Sequence, residues 1–220
     1  MKPTLHYFQI RGRGEPIRLI LAAKGLEFDD LPIDFPSMKG DKVGFPCGQA
    51  PRFQDDTVDM IQSNAIVRHL GRKHDMYGSD LKEQALVDQI LDTVESIKVK
   101  YLTLIYEDQL SDEAKAAYFK LRIDEAGAVE KNGGAHFAYL NCMLKKHQNG
   151  GAFVLGSKLS VADIMLFDIV DMHVRIYGDD FKSVWPALAA HHDAVAGFST
   201  IASYLASDRR HSQQNGNPLG

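Results

Sequence analysis

A phenol stands near the carboxyl end of the first predicted strand, where it can hold a small anion. Tyr7 lies in the apolar run 4–10, and a turn of arginine and glycine, residues 11–14, follows at once. A helix is predicted to begin at Glu15, with Pro16 in its first turn. The Tyr7 hydroxyl can donate a hydrogen bond to an anion, and the amino end of the helix adds partial positive charge. The arrangement predicts a site for a thiolate or another small anion.

Composition favours a soluble enzyme or binding protein. The chain has 220 residues, a length that leaves room for two small domains. Of these residues 45% are hydrophobic and 25% are charged, and the net charge is −4, as is usual for a soluble globular protein. No run of Lys and Arg is long enough to follow a phosphate backbone, and no apolar run approaches the ~20 residues that span a bilayer. Neither nucleic acid nor a membrane is expected as a partner. No signal peptide is visible, and a cytoplasmic location is predicted.

The cysteines and histidines form no pattern that predicts a metal site. Of the two cysteines, Cys47 is expected to pack, with a redox-sensitive thiol as the alternative, and Cys142 is expected to be buried. The nine histidines show no HExxH-like pairing. The adjacent His191 and His192 would lie on different faces of a helix, which makes a poor chelate. No metal is therefore predicted, and no GxSxG elbow supports a serine hydrolase.

Residues 1–78 are predicted to form a mixed α/β domain. Its strands and helices are expected in the order strand, helix, strand, hairpin, helix, at residues 4–10, 15–24, 27–33, 52–54 with 58–61, and 63–72. Residues 34–50 are predicted to be irregular, and Ser63 to be the N-cap of the last helix. The order βαβ then ββα is that of the thioredoxin-like fold. That fold places a proline, often cis, before its third strand, and Pro51 stands there.

Residues 79–210 are predicted to form an all-α domain. Apolar residues at three- and four-residue spacing predict one long helix from 81 to 105. Further helices are predicted near 112–130, 135–148, 160–174, 186–195 and 199–206. Ser160 and Asp163 predict a capping box at the start of the third of these. The polar tail, 211–220, is predicted to be mobile unless it folds over a site.

Taken in order, several short segments resemble a cytosolic glutathione transferase, most like the Pi class and related to the Sigma and Mu classes. They are Tyr7-Phe8, 11–13, 48–51, 62–72, 85–88, 100–106, 160–163 and 204–207. Each segment alone is weak, but together, at near-family spacing, they are specific. The resemblance implies glutathione as cosubstrate and a homodimer.

The resemblance assigns the glutathione site. Tyr7 resembles the catalytic tyrosine that holds the glutathione sulfur as a thiolate, so the nucleophile belongs to the cosubstrate. A thiol pKa is ordinarily about 8.5, and a hydrogen bond donated to the charged form lowers it. Besides Tyr7, the implied glutathione-binding residues are Arg13, Met38, Lys42, Gln49, Ala50, Pro51, Gln62, Ser63 and Glu95.

The resemblance also implies a site for a hydrophobic electrophile between the two domains. Its implied residues are Phe8, Ile10, Arg13, Tyr101, Tyr106, Asn215 and Gly216. Three positions depart from the family pattern. Met38 replaces a tryptophan, Ser96 replaces an acid and leaves Glu95 as a weak substitute, and the aromatic key of the dimer falls at Cys47, with Phe45 nearby.

The implied reaction is thiolate attack in an aryl substitution or a Michael addition, serving detoxification. Two alternatives stay open from the sequence. One is a Sigma-like isomerase that uses glutathione without consuming it. The other is a non-catalytic relative that binds ligands on the same scaffold.

Overall fold

The computed structural model describes residues 1–220 as two compact units. The first unit contains Met1–His74 and Phe198–Gly216, and the second contains Asp75–Gly197 and Asn217–Gly220. The predicted division lies after Gly78, and the tail is predicted to be mobile unless it folds over a site. In the structure the last helix and most of the tail belong to the first unit. No helix combines the length and hydropathy needed to cross a membrane.

The helices and strands follow the predicted order. The strands are β1 Thr4–Tyr7, β2 Asp29–Pro32, β3 Arg52–Gln54 and β4 Asp59–Ile61. The helices are α1 Glu15–Ala23, α2 Phe35–Gly40, α3 Ser63–Lys73, α4 Leu81–Tyr106, α5 Asp112–Tyr118, α6 Phe137–His147, α7 Val161–Val184, α8 Pro186–Ala196 and α9 Ser199–Leu205. A π-helical segment at Phe119–Ile123 and a 3₁₀ segment at Glu125–Val129 follow α5.

The first unit is built on one four-stranded sheet, in the order β2-β1-β3-β4. β1 and β2 are parallel, as the βαβ pattern predicted, and the β3–β4 hairpin is antiparallel. The Ala50–Pro51 peptide is cis, as the resemblance to the thioredoxin-like fold implied. α1 packs against α3 and α9 and buries the apolar side chains of Ile17, Leu19 and Ile20.

The short helix α2 was not predicted. It forms because the Asp34 carboxylate accepts a hydrogen bond from the Ser37 N–H at 2.7 Å and because Pro36 stands in the first turn, where a proline costs no hydrogen bond. The signal, an acid two residues before a proline, was present in a stretch that also contains several glycines.

The second unit is helical throughout, and α7 lies at its centre, packed against α4 and α8. The predicted capping box is confirmed: the Ser160 N–H donates to Asp163 Oδ2 at 2.8 Å. The other carboxylate oxygen of Asp163 accepts from the Val154 N–H at 2.7 Å and lies 2.8 Å from His191 Nε2. α7 extends beyond the predicted end at residue 174 and is interrupted at Gly178, where φ is +54°.

Both cysteines are exposed and free, so the predictions of a packing Cys47 and a buried Cys142 are wrong. α6 buries Phe137, Leu140 and Leu144. Position 142 lies two residues from Leu140 and therefore faces the opposite side of the helix.

Candidate active site

The register of the strands brings four chain segments together at one end of the sheet, the end where β1 finishes. His6 on β1 pairs with Arg52 on β3, and Arg52 pairs with Ile61 on β4. Tyr7 therefore ends β1 beside the Ala50–Pro51 peptide, which precedes β3. The residues that follow β4 lie at the same end because β4 runs parallel to β1. Tyr7 also pairs with Pro32 at the end of β2, so α2 begins there too.

The Tyr7 hydroxyl oxygen lies directly below the turn that follows β1. The Arg13 N–H donates a hydrogen bond to it at 2.8 Å. A Cβ on Gly12 would lie 2.6 Å from this oxygen, and a Cβ on Gly14 would lie 2.6 Å from Tyr7 Cδ1. Gly12 also has φ +42°, which side chains rarely adopt. Both glycines are therefore required for the turn to approach the phenol so closely.

Arg13 also connects the turn to α3, since its Nη1 lies 3.5 Å from Ser63 Oγ. Ser63 is the first residue of α3, and the N-cap position belongs to Gln62, so the prediction of Ser63 as N-cap is wrong by one residue. The reason is the backbone of Gln62, whose φ of +76° and ψ of +102° are not helical, so that Gln62 is the last residue before the helix. Such a conformation is strained for a residue with a side chain and is typical of functional sites.

A buried arginine lies beneath Tyr7. The Arg18 guanidinium is 0% exposed, and its Cζ lies 5.8 Å from the centre of the Tyr7 ring. It donates to Ile10 O at 2.8 Å and to Asp30 Oδ2 at 2.7 Å, with Phe8 O at 3.4 Å. Arg18 thus holds both the chain leaving β1 and a carboxylate on β2.

Glu15, 1% exposed, joins this cluster to the last helix and to the segment that follows it. Tyr204 donates to Glu15 Oε2 at 3.0 Å, and Arg210 Nε donates to Glu15 Oε1 at 3.1 Å. Burial and the neighbouring Glu15 carboxylate raise the pKa of Tyr204, so it remains a donor at neutral pH. The sequence contained one signal for this cluster, two charged residues three apart, Glu15 and Arg18, in an otherwise apolar helix.

Comparisons with known proteins cover most of this chain. Residues 3–72 match the family model "Glutathione S-transferase, N-terminal domain", and residues 95–208 match "Glutathione S-transferase, C-terminal domain". Glutathione S-transferase P 1 of Xenopus laevis is 34% identical over 94% of this chain and 93% of its own length. The human Glutathione S-transferase P is 31% identical over 93% and 91%. The Pi-class Glutathione S-transferase structure from Onchocerca volvulus superimposes over 100% of both chains with a TM-score of 0.84 at 30% identity.

The chain belongs to the glutathione S-transferase family. It is a glutathione-using enzyme, and the predicted resemblance to the Pi class and to a thioredoxin-like fold with a helical second domain is confirmed. No group of three or more His, Cys, Asp or Glu side chains in residues 1–220 is placed to hold a metal ion.

The other residues expected to bind glutathione in the transferase differ in exposure. Lys42, Gln49 and Gln62 are exposed, Ala50 is half-buried, and Pro51 is buried. Met38 is 3% exposed and lies on α2, the short helix that follows β2. Glu95 is half-buried on α4, in the second unit. The contacts of these residues with glutathione stay predictions.

The residues expected to bind the electrophile lie in both units of the transferase. In the first unit, Phe8 is half-buried and its ring stacks on Phe35 at 4.7 Å. Ile10 is half-buried, Asn215 is buried and Gly216 is exposed. In the second unit Tyr106 is 45% exposed, whereas Tyr101 is 1% exposed, with its ring 5.5 Å from His173. Tyr101 therefore presents almost no surface to solvent. Its contact with the electrophile stays a prediction.

The tail of the transferase is held by the backbone of the turn after β1. The Arg11 N–H donates to Gln213 O at 2.9 Å, and the Gly12 N–H donates to Gln214 O at 3.0 Å. Arg11 Nε donates to His211 O at 2.7 Å. The part of the tail up to Gly216 is therefore folded onto the turn that carries Arg13. The tail was predicted to be mobile unless it folds over a site, and the structure has it folded.

Proposed function

We propose that this transferase activates glutathione through a hydrogen bond from the Tyr7 hydroxyl to the thiolate. The observation that supports this proposal is the hydrogen bond that the Arg13 backbone N–H donates to the Tyr7 oxygen at 2.8 Å. This donor occupies one lone pair of the oxygen, so the hydroxyl hydrogen points away from it. Because linked hydrogen bonds polarise one another, the same donor makes the phenol a stronger donor in turn. Tyr7 then favours the ionised sulfur, whose pKa falls.

The amino end of α3 and the backbone before β3 support the position of the rest of glutathione. Ser63 and Gln62 stand at the amino end of α3, where free backbone N–H groups and the helix dipole favour the γ-glutamyl carboxylate. The backbone of Ala50 lies beside the end of β1, where an extended peptide can pair with it. With sulfur at Tyr7, the two contacts fix the direction of the tripeptide.

The second substrate is a hydrophobic electrophile, attacked by the thiolate in an aryl substitution or a Michael addition. The half-buried apolar side chains next to Tyr7 in the first unit, Phe8 and Ile10, support this class. Polar electrophiles would have to lose water against them without gaining a partner. The proposed role is detoxification by conjugation.

The test compares the wild type with Tyr7→Phe, which removes one oxygen. Turnover of a chromogenic aryl halide should fall on the order of a hundredfold, the effect of losing one donor to a developing anion. The mercaptide absorption band of the glutathione complex at neutral pH should disappear as well. The melting temperature should change little. Unchanged turnover in Tyr7→Phe would exclude Tyr7 from the chemistry.

Two further measurements address the alternatives. Retention on a glutathione column without turnover of any electrophile would identify a non-catalytic relative. Glutathione recovered unchanged at the end of the reaction would identify an isomerase instead of a conjugating enzyme.

The transferase is also proposed to act as a homodimer. A surface depression of about 600 Å³ beside β4 and α3 is lined by apolar and basic side chains. Its apolar lining residues include Val58, Met60 and Ala65, and its basic lining residues include Arg68 and Arg72. Such a combination suits a second copy of this chain with apolar and acidic side chains. Met60→Glu should convert the dimer into a monomer in light scattering coupled to size exclusion.

The two candidates for the residue that inserts into the second copy, Phe45 and Cys47, differ in burial. Phe45 is 5% exposed, and its ring lies 5.8 Å from the Arg52 guanidinium of the same chain. Cys47 is exposed. Cys47→Ala and Phe45→Ala in the same light-scattering experiment test which of the two contributes to dimerisation.

A further inference from the structure

We propose that Glu15 is a positioning residue of this transferase, through which Tyr204 on α9 and Arg210, just before the tail, hold Arg18 and thereby the turn that donates to Tyr7. The inference rests on the proposed role of Tyr7. It concerns residues that touch neither glutathione nor the electrophile. Two links carry it, one from Arg18 to the turn and one from the chain end to Glu15.

The first link is the hold of Arg18 on the chain after β1. Its Nη1 donates to Ile10 O at 2.8 Å and lies 3.5 Å from Arg11 O, and its Nη2 lies 3.4 Å from Phe8 O. Three carbonyl oxygens are thus drawn to one buried, planar group. The Arg13 N–H that reaches the Tyr7 oxygen follows directly on this segment. A displacement of Arg18 would therefore displace that donor.

The second link is the hold of the chain end on Glu15. Each of the two carboxylate oxygens has its own donor, Tyr204 on Oε2 and Arg210 on Oε1. Oε2 also lies 3.8 Å from Arg18 Nη1. With Asp30 on the other side of Arg18, the cluster contains two acids and two arginines. Glu15 and Arg18 are the buried members of this network, so the loss of a partner would leave a buried charge uncompensated.

Position and charge make opposite predictions for Glu15→Gln. If Glu15 acted only by its charge, removing it would leave the surroundings of Tyr7 more positive and would favour the thiolate. If Glu15 acts by holding Arg18, the amide cannot serve both neighbours, because one of its two oxygens becomes an NH₂ that accepts nothing. The turn then loosens, the donor to Tyr7 weakens, and the thiolate becomes less favourable. The sign of the change separates the two.

The experiment measures turnover against pH at saturating glutathione, together with the KM for glutathione. Glu15→Gln should lower turnover at pH below the thiol pKa by about fivefold, roughly the net effect of one hydrogen bond. The apparent pKa of the bound thiol should rise by about 0.7 units, which is the same fivefold. The KM should stay within about twofold, since no glutathione contact is removed. An unchanged or lowered thiol pKa would overturn the proposal.

A second variant and a matched pair guard against loss of folding. Tyr204→Phe is nearly isosteric, changes no charge, and removes only the 3.0 Å hydrogen bond to Glu15. It should shift the profile in the same direction by a smaller amount, and an unshifted profile refutes the role of the chain end. Arg210→Gln should behave like Tyr204→Phe. Arg209→Gln is the control, because Arg209 lies over the Phe28 ring at 4.6 Å.

The outcomes separate this inference from the proposed function. If Tyr7→Phe lowers turnover on the order of a hundredfold while Glu15→Gln and Tyr204→Phe keep the wild-type profile, Tyr7 stands and the positioning role falls. If Arg209→Gln shifts the profile as much as Arg210→Gln, the effect does not depend on Glu15, and the proposal falls as well.

Discussion

A buried histidine in the second unit should make the transferase sensitive to acid. His173 is 0% exposed, and its Nδ1 donates to Ile169 O at 2.6 Å. Its Nε2 is then the acceptor of the Tyr118 hydroxyl, at 2.9 Å. The rings of Phe137 and Tyr101 lie against it at 4.6 and 5.5 Å. Burial lowers the pKa of His173 to about 4, despite the favourable carbonyl of Ile169.

The size of the effect follows from this pKa. The unfolded chain binds the proton with a pKa of about 6.5, and the folded chain with about 4. Since the folded pKa is the lower one, the stabilisation is complete above pH 6.5 and is lost as the pH falls towards 4. The 2.5 units between the two values correspond to about 3 kcal/mol, of which about 2 kcal/mol is lost between pH 6.5 and pH 5.

The assay is denaturant unfolding at pH 7 and at pH 5, at one fixed protein concentration. In His173→Gln the amide keeps an acceptor for Tyr118 but does not titrate. Its free energy of unfolding should fall less than that of the wild type between the two pH values, by about 2 kcal/mol. An equal fall in both proteins would refute the reasoning, because burial would then not keep the ring neutral.

His192 supplies a control of opposite sign. Burial alone would lower its pKa, but hydrogen bonds to Asp171 and Asp193 raise it. Because the folded pKa is the higher one, its stabilisation is present below pH 6.5 and is lost as the pH rises through the folded value. His192→Gln should therefore cost more stability at pH 5 than at pH 7.

Two substitutions test the close packing of the site and the start of α7. Gly14→Ala places a Cβ 2.6 Å from the Tyr7 ring and should lower both turnover and stability, the latter by about 1–3 kcal/mol in denaturant unfolding, whereas Gly40→Ala, with nothing within 4 Å, should change neither. Asp163→Ala removes a fully buried acceptor and should cost about 3 kcal/mol in the same assay, whereas Asp112→Ala, at an exposed position, should leave the unfolding curve almost unchanged.

The sequence predicted the parts of this fold whose signals are local. The run of apolar residues at helical spacing in 81–105 specifies α4, and Ser160 with Asp163 specifies the start of α7. The turn Asp55-Asp56-Thr57 specifies the hairpin, since Asp55 accepts from the N–H groups of Thr57 and Val58. In these cases neighbours in the chain provide the partners.

The rest depended on partners far along the chain. Glu15 is bonded to residues 189 and 195 positions away, which no local pattern reveals. Tyr101 and Tyr106 lie five residues apart on one helix, yet one is buried and the other exposed, because burial depends on which helices pack there. The unusual backbone of Gln62 gave no signal, since glutamine is not a residue that favours a positive φ.

Because α9 and the tail belong to the same compact unit as β1, the order of synthesis matters for this protein. On the ribosome, Glu15 emerges long before Tyr204 and Arg210, so its hydrogen bonds to these two residues can form only late in synthesis. Residues 75–197, by contrast, emerge as one continuous stretch and can fold before residues 198–216 have left the exit tunnel. The thioredoxin-like half, although it is made first, is therefore the last to be finished.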